Sequence, residues 1–296
     1  MMLRRHILRF FKDRPAFKVG VLLSPSVFWL LVFTLIPMGL VVYYSFLTRG
    51  PWGSITYEFT LDSYRLILDP LFLKIFARSF VLASLTVIIC LCAGYMVAYW
   101  IALYGGRRKN LFIFLVILPF WTSYLVRIYS WMTLLSDHGL INTFLMNLNL
   151  IREPLPLLHN QFAVLLGLVY TYLPFMILPL FAALERLDRS VLEAAADLGA
   201  TATERFFRVT LPLTKGGMLS GSVLVFMPAI GEFLIPELLG GAKAMMIGKF
   251  IALKFTGLRH WPLGSAFSLL LLAIILILIY LYMRVGGGKE AFQEQR

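Results

Sequence analysis

Glu193-Ala194-Ala195, then Gly199, then Val209-Thr210-Leu211-Pro212 form a polar, helix-favouring island between two long apolar runs. Its surroundings decide the fold. Of 296 residues, 60% are apolar, 15% aromatic and only 14% charged, more hydrophobic side chain than one soluble core buries. A helix rising about 1.5 Å per residue needs about 20 apolar residues to cross about 30 Å of hydrocarbon. Six runs suit that purpose, at residues 21–47, 80–103, 111–134, 162–184, 216–235 and 266–283. In lipid a lone strand leaves its N–H and C=O groups unpaired, and the runs lack the alternation of barrel strands. The expectation is an all-α, polytopic membrane protein with six transmembrane helices. Residues 21–284 form the membrane domain, between a basic tail at 1–20 and a second tail at 285–296. Pro25, Pro37, Pro119, Pro174, Pro179 and Pro228 fall inside four of the runs, where each removes a backbone donor and opens a kink.

The first run follows a basic segment, but it is too long for a secretory signal and lacks a small-residue cleavage site. It reads as a retained helix. With the N-terminus in the cytoplasm, 17 Lys and Arg fall on the inner side against 9 in the outer loops, so both termini are expected to be cytoplasmic. The same residues account for the formal charge of +12 as topogenic charge beside membrane ends, so lipid rather than nucleic acid is the implied partner. Cys90 and Cys92 are two apart in one run and point in different directions, as packing residues. His6, His138, His159 and His260 have no ligand spacing around them, and no metal site is expected. Gly248-Lys249 is followed by Phe250, and Lys243 stands where a phosphate loop needs its first glycine. No hydrolase elbow, zinc helix or dinucleotide fingerprint occurs either. A chain that cannot hydrolyse ATP alone and holds no cofactor is expected to be no enzyme.

The island occupies the connection at 185–215, long for a link between adjacent spans. Ser190 and Glu193 have the spacing of a capping box, Ala194-Ala195-Ala196 favours helix, and Gly199 permits a left-handed stop. A second short helix is expected at about 203–209, presenting Phe206, Phe207 and Val209, until Leu211-Pro212 opens the next segment. Spacing alone leaves two readings open, a helix seated in a partner's groove and an amphipathic loop on the headgroups.

Glu-Ala-Ala, a glycine after three more residues, then nine residues and Val-x-Leu-Pro resembles the signature of the inner-membrane permease subunits of bacterial ABC importers, with Val209 for the usual isoleucine. The resemblance implies a type I importer permease fold in a bacterial inner membrane. In that family this loop couples to the ATPase, which assigns coupling to Glu193, Ala194, Ala195, Gly199, Phe206, Phe207, Leu211 and Pro212. It further implies two ATP-binding subunits that hold ATP and Mg, a second similar permease and a periplasmic binding protein. Leu118-Pro119-Phe120-Trp121-Thr122-Ser123, Leu125-Val126-Arg127 and Met227-Pro228-Ala229-Ile230-Gly231-Glu232-Phe233 resemble the polyamine branch, the putrescine and spermidine permeases of the PotB and PotH type.

A polycation in a channel needs anions or carbonyls to replace its water, and aromatic faces add about 0.5 to 2 kcal/mol per cation–π contact. Glu232 is the one carboxylate within a predicted span, with Glu237 just beyond it, and an ionisable residue at membrane depth is a functional candidate. Asp137, Trp131, Tyr124, Tyr170, Tyr172 and Phe233 are candidates beside it, though the aromatics equally suit an interfacial belt. Arg127 and Glu232 each lie 16 residues beyond Leu111 and Gly216, about 24 Å along their helices. Pairing of the two is thus the alternative to a free anion. The amphipathic segment 61–76 and the loop 240–262 are expected on the outer surface, where a binding protein could seat. The rival classes are an ion-coupled secondary carrier, which needs embedded carboxylates or broken helices, and a scaffold that transports nothing.

Overall fold

The computed structural model describes residues 15–242 and 244–284. Most of the expected N-terminal tail, the whole tail at 285–296 and Lys243 lie outside them. Four helices are long and apolar enough to cross a membrane, Leu23–Ser45, Pro70–Tyr104, Gln161–Glu185 and Trp261–Tyr282, and two bent pairs bring the number up to 6.

The first span comprises α1 (Pro15–Leu30), a π turn at Leu31–Leu35 and α2 (Ile36–Ser45). The wide turn falls where Pro37 offers no N–H to the carbonyl four residues earlier. The span stops short of residue 47, because β1 (Leu47–Arg49) pairs antiparallel with β2 (Ile55–Phe59). This hairpin is a local addition to a chain that is otherwise helical, as expected. Its Pro51-Trp52-Gly53 turn has positive φ at Trp52 and Gly53, a local geometry that hydropathy does not report.

After α3 (Asp62–Ile67), α4 runs unbroken through Pro70–Tyr104 for 35 residues, capped by the Asp69 carboxylate on the Leu71 amide. The surface helix expected at 61–76 is therefore two pieces. Its second half is the start of α4, where Phe72 packs against the rings of Phe250 and Phe267 at 5.2 Å each. Next, α5 (Lys109–Ile117) ends in a tight turn at Leu118–Trp121, and α6 (Tyr124–Leu135) leaves at an angle of 87° toward α7 (Leu140–Asn147). The run at 111–134 is thus no straight helix. Pro119 lies in the turn and the Thr122 hydroxyl donates back to its carbonyl at 2.7 Å, which satisfies an acceptor that the break frees.

By contrast, α8 (Gln161–Glu185) continues through Pro174 and Pro179. Then come α9 (Arg189–Asp197), α10 (Ala202–Leu213, with a π turn at Phe206–Thr210) and α11 (Lys215–Gly231). The chain ends in α12 (Leu234–Leu238), α13 (Ile247–Thr256) and α14 (Trp261–Tyr282). The core lies where α4, α8 and α11 pack together around buried Cys90, Leu168, Met176, Leu180 and Val225. Their close approach needs small residues, since a Cβ at Gly94 or Gly221 would stand 3.1 or 2.6 Å from the Met176 side chain. Cys90 is buried and Cys92 exposed, in keeping with their opposed directions.

The expected outer loop at 240–262 contains α13, whose first residues Ile247, Gly248, Lys249 and Phe250 are buried. A Cβ on Gly248 would overlap the carbonyl oxygens of Gly231 and Glu232. Gly248→Ala should therefore destabilise the purified protein by about 1–3 kcal/mol through overpacking against backbone. Gly39→Ala, which meets nothing within 4 Å, should leave thermal unfolding unchanged.

Candidate functional site

Two regions gather the predicted residues. The first is the polar island. Its first helix, α9, has no buried residue, so packing within the chain does not explain it. Glu193 and Ala194 are exposed and Ala195 is half-buried. Gly199 turns the chain at φ 82°, a left-handed conformation that costs an L side chain energy. Beside it Leu198 is 89% exposed. Helix starts differ from the expected ones. Asp188, not Ser190, caps α9 by accepting from the Ser190 amide at 2.9 Å. The capping box belongs to Thr201 and Glu204, which have the same spacing in the sequence. Chain direction favours Asp188 because it precedes the helix, whereas Ser190 already lies in its first turn.

Phe206 and Phe207 have different surroundings. Phe206 is half-buried, edge-on to Tyr95 and Tyr99 at 5.6 and 5.5 Å, and so anchors the island to α4. Phe207 is 60% exposed. Leu211 packs against the core and Pro212 is exposed. Lys109 pairs with Glu185, and Arg189 donates to the Leu103 carbonyl, which fixes the base of the island to the end of α4.

The second region is the gap between α11 and α12. Glu232 does not lie inside a helix as the run at 216–235 suggests; it follows Gly231 in an extended conformation with φ −63° and ψ 133°. Its Oε1 accepts from the amides of Phe233 and Leu234 at 3.0 Å each, and its Oε2 accepts from the Tyr172 hydroxyl at 2.5 Å. The side chain is 9% exposed. Arg127 forms no ion pair with it. The 87° bend separates α5 from α6, on which Arg127 lies. Instead the guanidinium lies over Phe120, 4.9 Å from the ring centroid, and 5.8 Å from that of Tyr124. Tyr124 lies between the two charges, its buried hydroxyl interacting with both Glu232 and Arg127. The Arg127 Nε is buried without a partner. Phe233 is half exposed beside the carboxylate.

Other candidates fall away from this cluster. Trp131 is edge-on to Tyr170 at 5.4 Å, and Asp137 is exposed in the turn after α6. Glu237 is paired with Lys249 at 3.1 Å, so it is no free anion. The buried Lys249 ammonium also donates to the carbonyls of Pro236 and Gly241 at 3.3 and 2.7 Å. Sequence reasoning assigned it to a solvated outer loop. A lysine flanked by Gly248 and Phe250 in an apolar stretch was the available signal.

A core of membrane-length helices, with a broken helix at a buried carboxylate and a separate exposed helix pair, defines a polytopic membrane protein. Residues 91–286 match the binding-protein-dependent transport system inner membrane components, and the chain belongs to that family, the inner-membrane permeases of ABC importers. It is 43% identical over 258 residues to the spermidine/putrescine transport system permease protein PotB of Haemophilus influenzae, covering 87% of this chain and 90% of that one. PotB of Escherichia coli is 40% identical over 258 residues, covering 87% and 94%. The Escherichia coli inner membrane ABC transporter permease protein YdcU is 33% identical over 306 residues, covering 95% and 94%. Among solved structures, a bacterial alginate ABC transporter in complex with alginate pentasaccharide-bound periplasmic protein has a TM-score of 0.75 at 19% identity, covering 93% of this chain and 96% of that one.

Two outcomes follow from these contacts. Tyr172→Phe removes a charge-assisted hydrogen bond and should lower unfolding stability by about 1.5–3 kcal/mol, measured by thermal denaturation of the purified complex. At the island, the Thr201 amide and hydroxyl hold the Glu204 carboxyl below the usual carboxylate range. A depressed folded-state value adds stability above the unfolded value and loses it as pH falls through the folded one. Amide exchange at the start of α10, corrected for its intrinsic rate, should accelerate on acidification below about pH 4.3. Glu204→Gln should remove that dependence.

Proposed function

We propose that this chain is one of two permease subunits of an ABC importer that carries putrescine and/or spermidine across the inner membrane. The observation that supports a cationic cargo best is the Glu232 carboxylate, held at a break between helices and flanked by Tyr172, Tyr124 and Phe233. An extended polyamine can exchange its water for this anion and the aromatic faces about it. The similarity to the PotB proteins over 87% of the chain supports the same cargo. In this reading six spans place both termini in the cytoplasm, each bent pair contributing one span, which in the second pair is α11 alone. The basic tail at 1–20 and the C-terminal tail at 285–296 flank a membrane domain at 21–284, whose island at 185–215 faces the cytoplasm.

The exposed α9 and the tip at Leu198 and Gly199 then seat in an ATP-binding subunit, with Glu193, Ala194, Ala195, Phe207 and Pro212 about the contact. Two such subunits bind ATP and Mg and perform the hydrolysis. A periplasmic polyamine-binding protein delivers cargo at the opposite face. Closure of the ATPases moves the island, and the helices around Glu232 alternate between an outward and an inward opening. Arg127, Trp131, Asp137 and Glu237 line or brace the route. Arg127 lies on its ring rather than on the anion, and so leaves Glu232 to the cargo.

The break at Glu232 is also a device of ion-coupled carriers, so the test separates the two drives. Uptake into vesicles holding both permeases and the ATPase should require ATP and stop with vanadate; uptake without ATP would overturn the assignment. Competing diamines and triamines of graded length should identify the cargo. Glu232→Gln should cut uptake roughly tenfold to a hundredfold, the loss of one contact to a charged group, while the complex still assembles. Unchanged uptake removes Glu232 from the pathway.

A further inference from the structure

The island joins α11 at Thr214, where the helix axis turns by 64°. Thr214 is fully buried, and its hydroxyl donates to the Thr210 carbonyl at 2.9 Å. A threonine hydroxyl has a single hydrogen, so the 2.9 Å contact with the Tyr95 hydroxyl has tyrosine as donor. This bond ties the bend to α4. A second contact reinforces it, since Phe206, on the π turn of α10, stands edge-on to Tyr95 and Tyr99. A single π turn is strained relative to α-helix and recurs at functional sites. The island thus grips α4 at two points, one at the bend and one on the π turn before it.

At its other end α4 makes a second hydrogen bond to a remote segment. The Ser79 hydroxyl oxygen accepts from the Ile247 amide at 2.7 Å, at the residue preceding Gly248, whose backbone abuts the Gly231 and Glu232 carbonyls. Ser79 and Tyr95 are 16 residues apart on one unbroken helix, about 24 Å at 1.5 Å per residue. One rigid element therefore touches both the bend below the island and the structure that brackets the carboxylate.

We propose that Tyr95 is a positioning residue for coupling: its hydroxyl latches the bend at Thr214 to α4, so that displacement of the island moves α4 and, through Ser79 and Ile247, the break at Glu232. The inference rests on the island's being the ATPase contact. Neither Tyr95 nor Ser79 reaches the cargo or the ATPase; each acts through its bond partner. Spatial continuity alone does not establish coupling, so the test reads coupling directly.

The complete importer, with both permeases, ATPase and binding protein, is reconstituted in vesicles, and polyamine taken up per ATP hydrolysed is measured. Tyr95→Phe keeps the ring against Phe206 and loses only the donor. It should lower the uptake-to-hydrolysis ratio about twofold to tenfold, the worth of one hydrogen bond, with hydrolysis retained and the amount of assembled complex unchanged. Thr214→Val removes the acceptor and should lower the ratio equally, and the double variant should be no worse than either single one. Thr214→Ser should restore the wild-type ratio. An unchanged ratio in Tyr95→Phe, a proportional fall of uptake and hydrolysis, or additive losses in the double variant would overturn the latch. Glu193→Arg serves as the control on the island itself. If it leaves ATPase stimulation intact, the contact assignment fails; if it abolishes stimulation while Tyr95→Phe changes nothing, only the latch fails.

Discussion

The carboxylate of Glu232 accepts the two amides that follow it, and the rest of the membrane core is arranged around that fact. Inside hydrocarbon an interrupted helix leaves donors and acceptors without water. Phe233 and Leu234 would be such donors. Glu232 satisfies them with one oxygen and gives the other to Tyr172, so a helix can stop and restart where lipid would otherwise forbid it. The consequence for chemistry is that a buried negative charge arrives together with the break. Gly248 lies against the carbonyls of the same gap, and Lys249 tethers Pro236, Glu237 and Gly241. The segment that reads as an outer loop is the clamp on this break.

The island at the other end obeys a different constraint. Its helices are short and its first one buries nothing, so their geometry comes from caps rather than from packing: Asp188 at one start, the Thr201 and Glu204 pair at the next, and Gly199 between them. Phe206, Leu211 and Thr210 pack it against the core, and Arg189, Glu185 and Thr214 bond it to the segments at the end of α4. Rigid internal geometry with few ties suits a part that moves as a body.

Much of this was legible from residues, for physical reasons that can be named. Hydropathy located the four long apolar helices, because lipid imposes a length that sequence must meet. The island's function as a separate helix pair showed in Ala194-Ala195-Ala196 and Gly199, whose backbone preferences are local. What escaped were properties set between distant segments. Pro119 and Pro174 look alike in sequence, yet the first sits in an 87° break and the second in a continuous helix. The difference lies in their surroundings. Depth counted along the helices suggested a pair between Arg127 and Glu232, whereas Arg127 packs its guanidinium over Phe120 and Tyr124. The hairpin at Leu47–Phe59 went unforeseen because three paired residues on one strand leave no periodic trace, and Glu237 seemed free because its partner Lys249 is 12 residues away on another helix.

The tip of the island has a consequence beyond energy coupling. Leu198 is 89% and Phe207 60% exposed, at the end of a polar segment that stands outside the membrane core. Apolar groups displayed to water are what chaperones and proteases recognise in incomplete proteins. In the proposed importer the surface that would meet the ATP-binding subunit is therefore also the apolar surface that stays uncovered for as long as that subunit is missing.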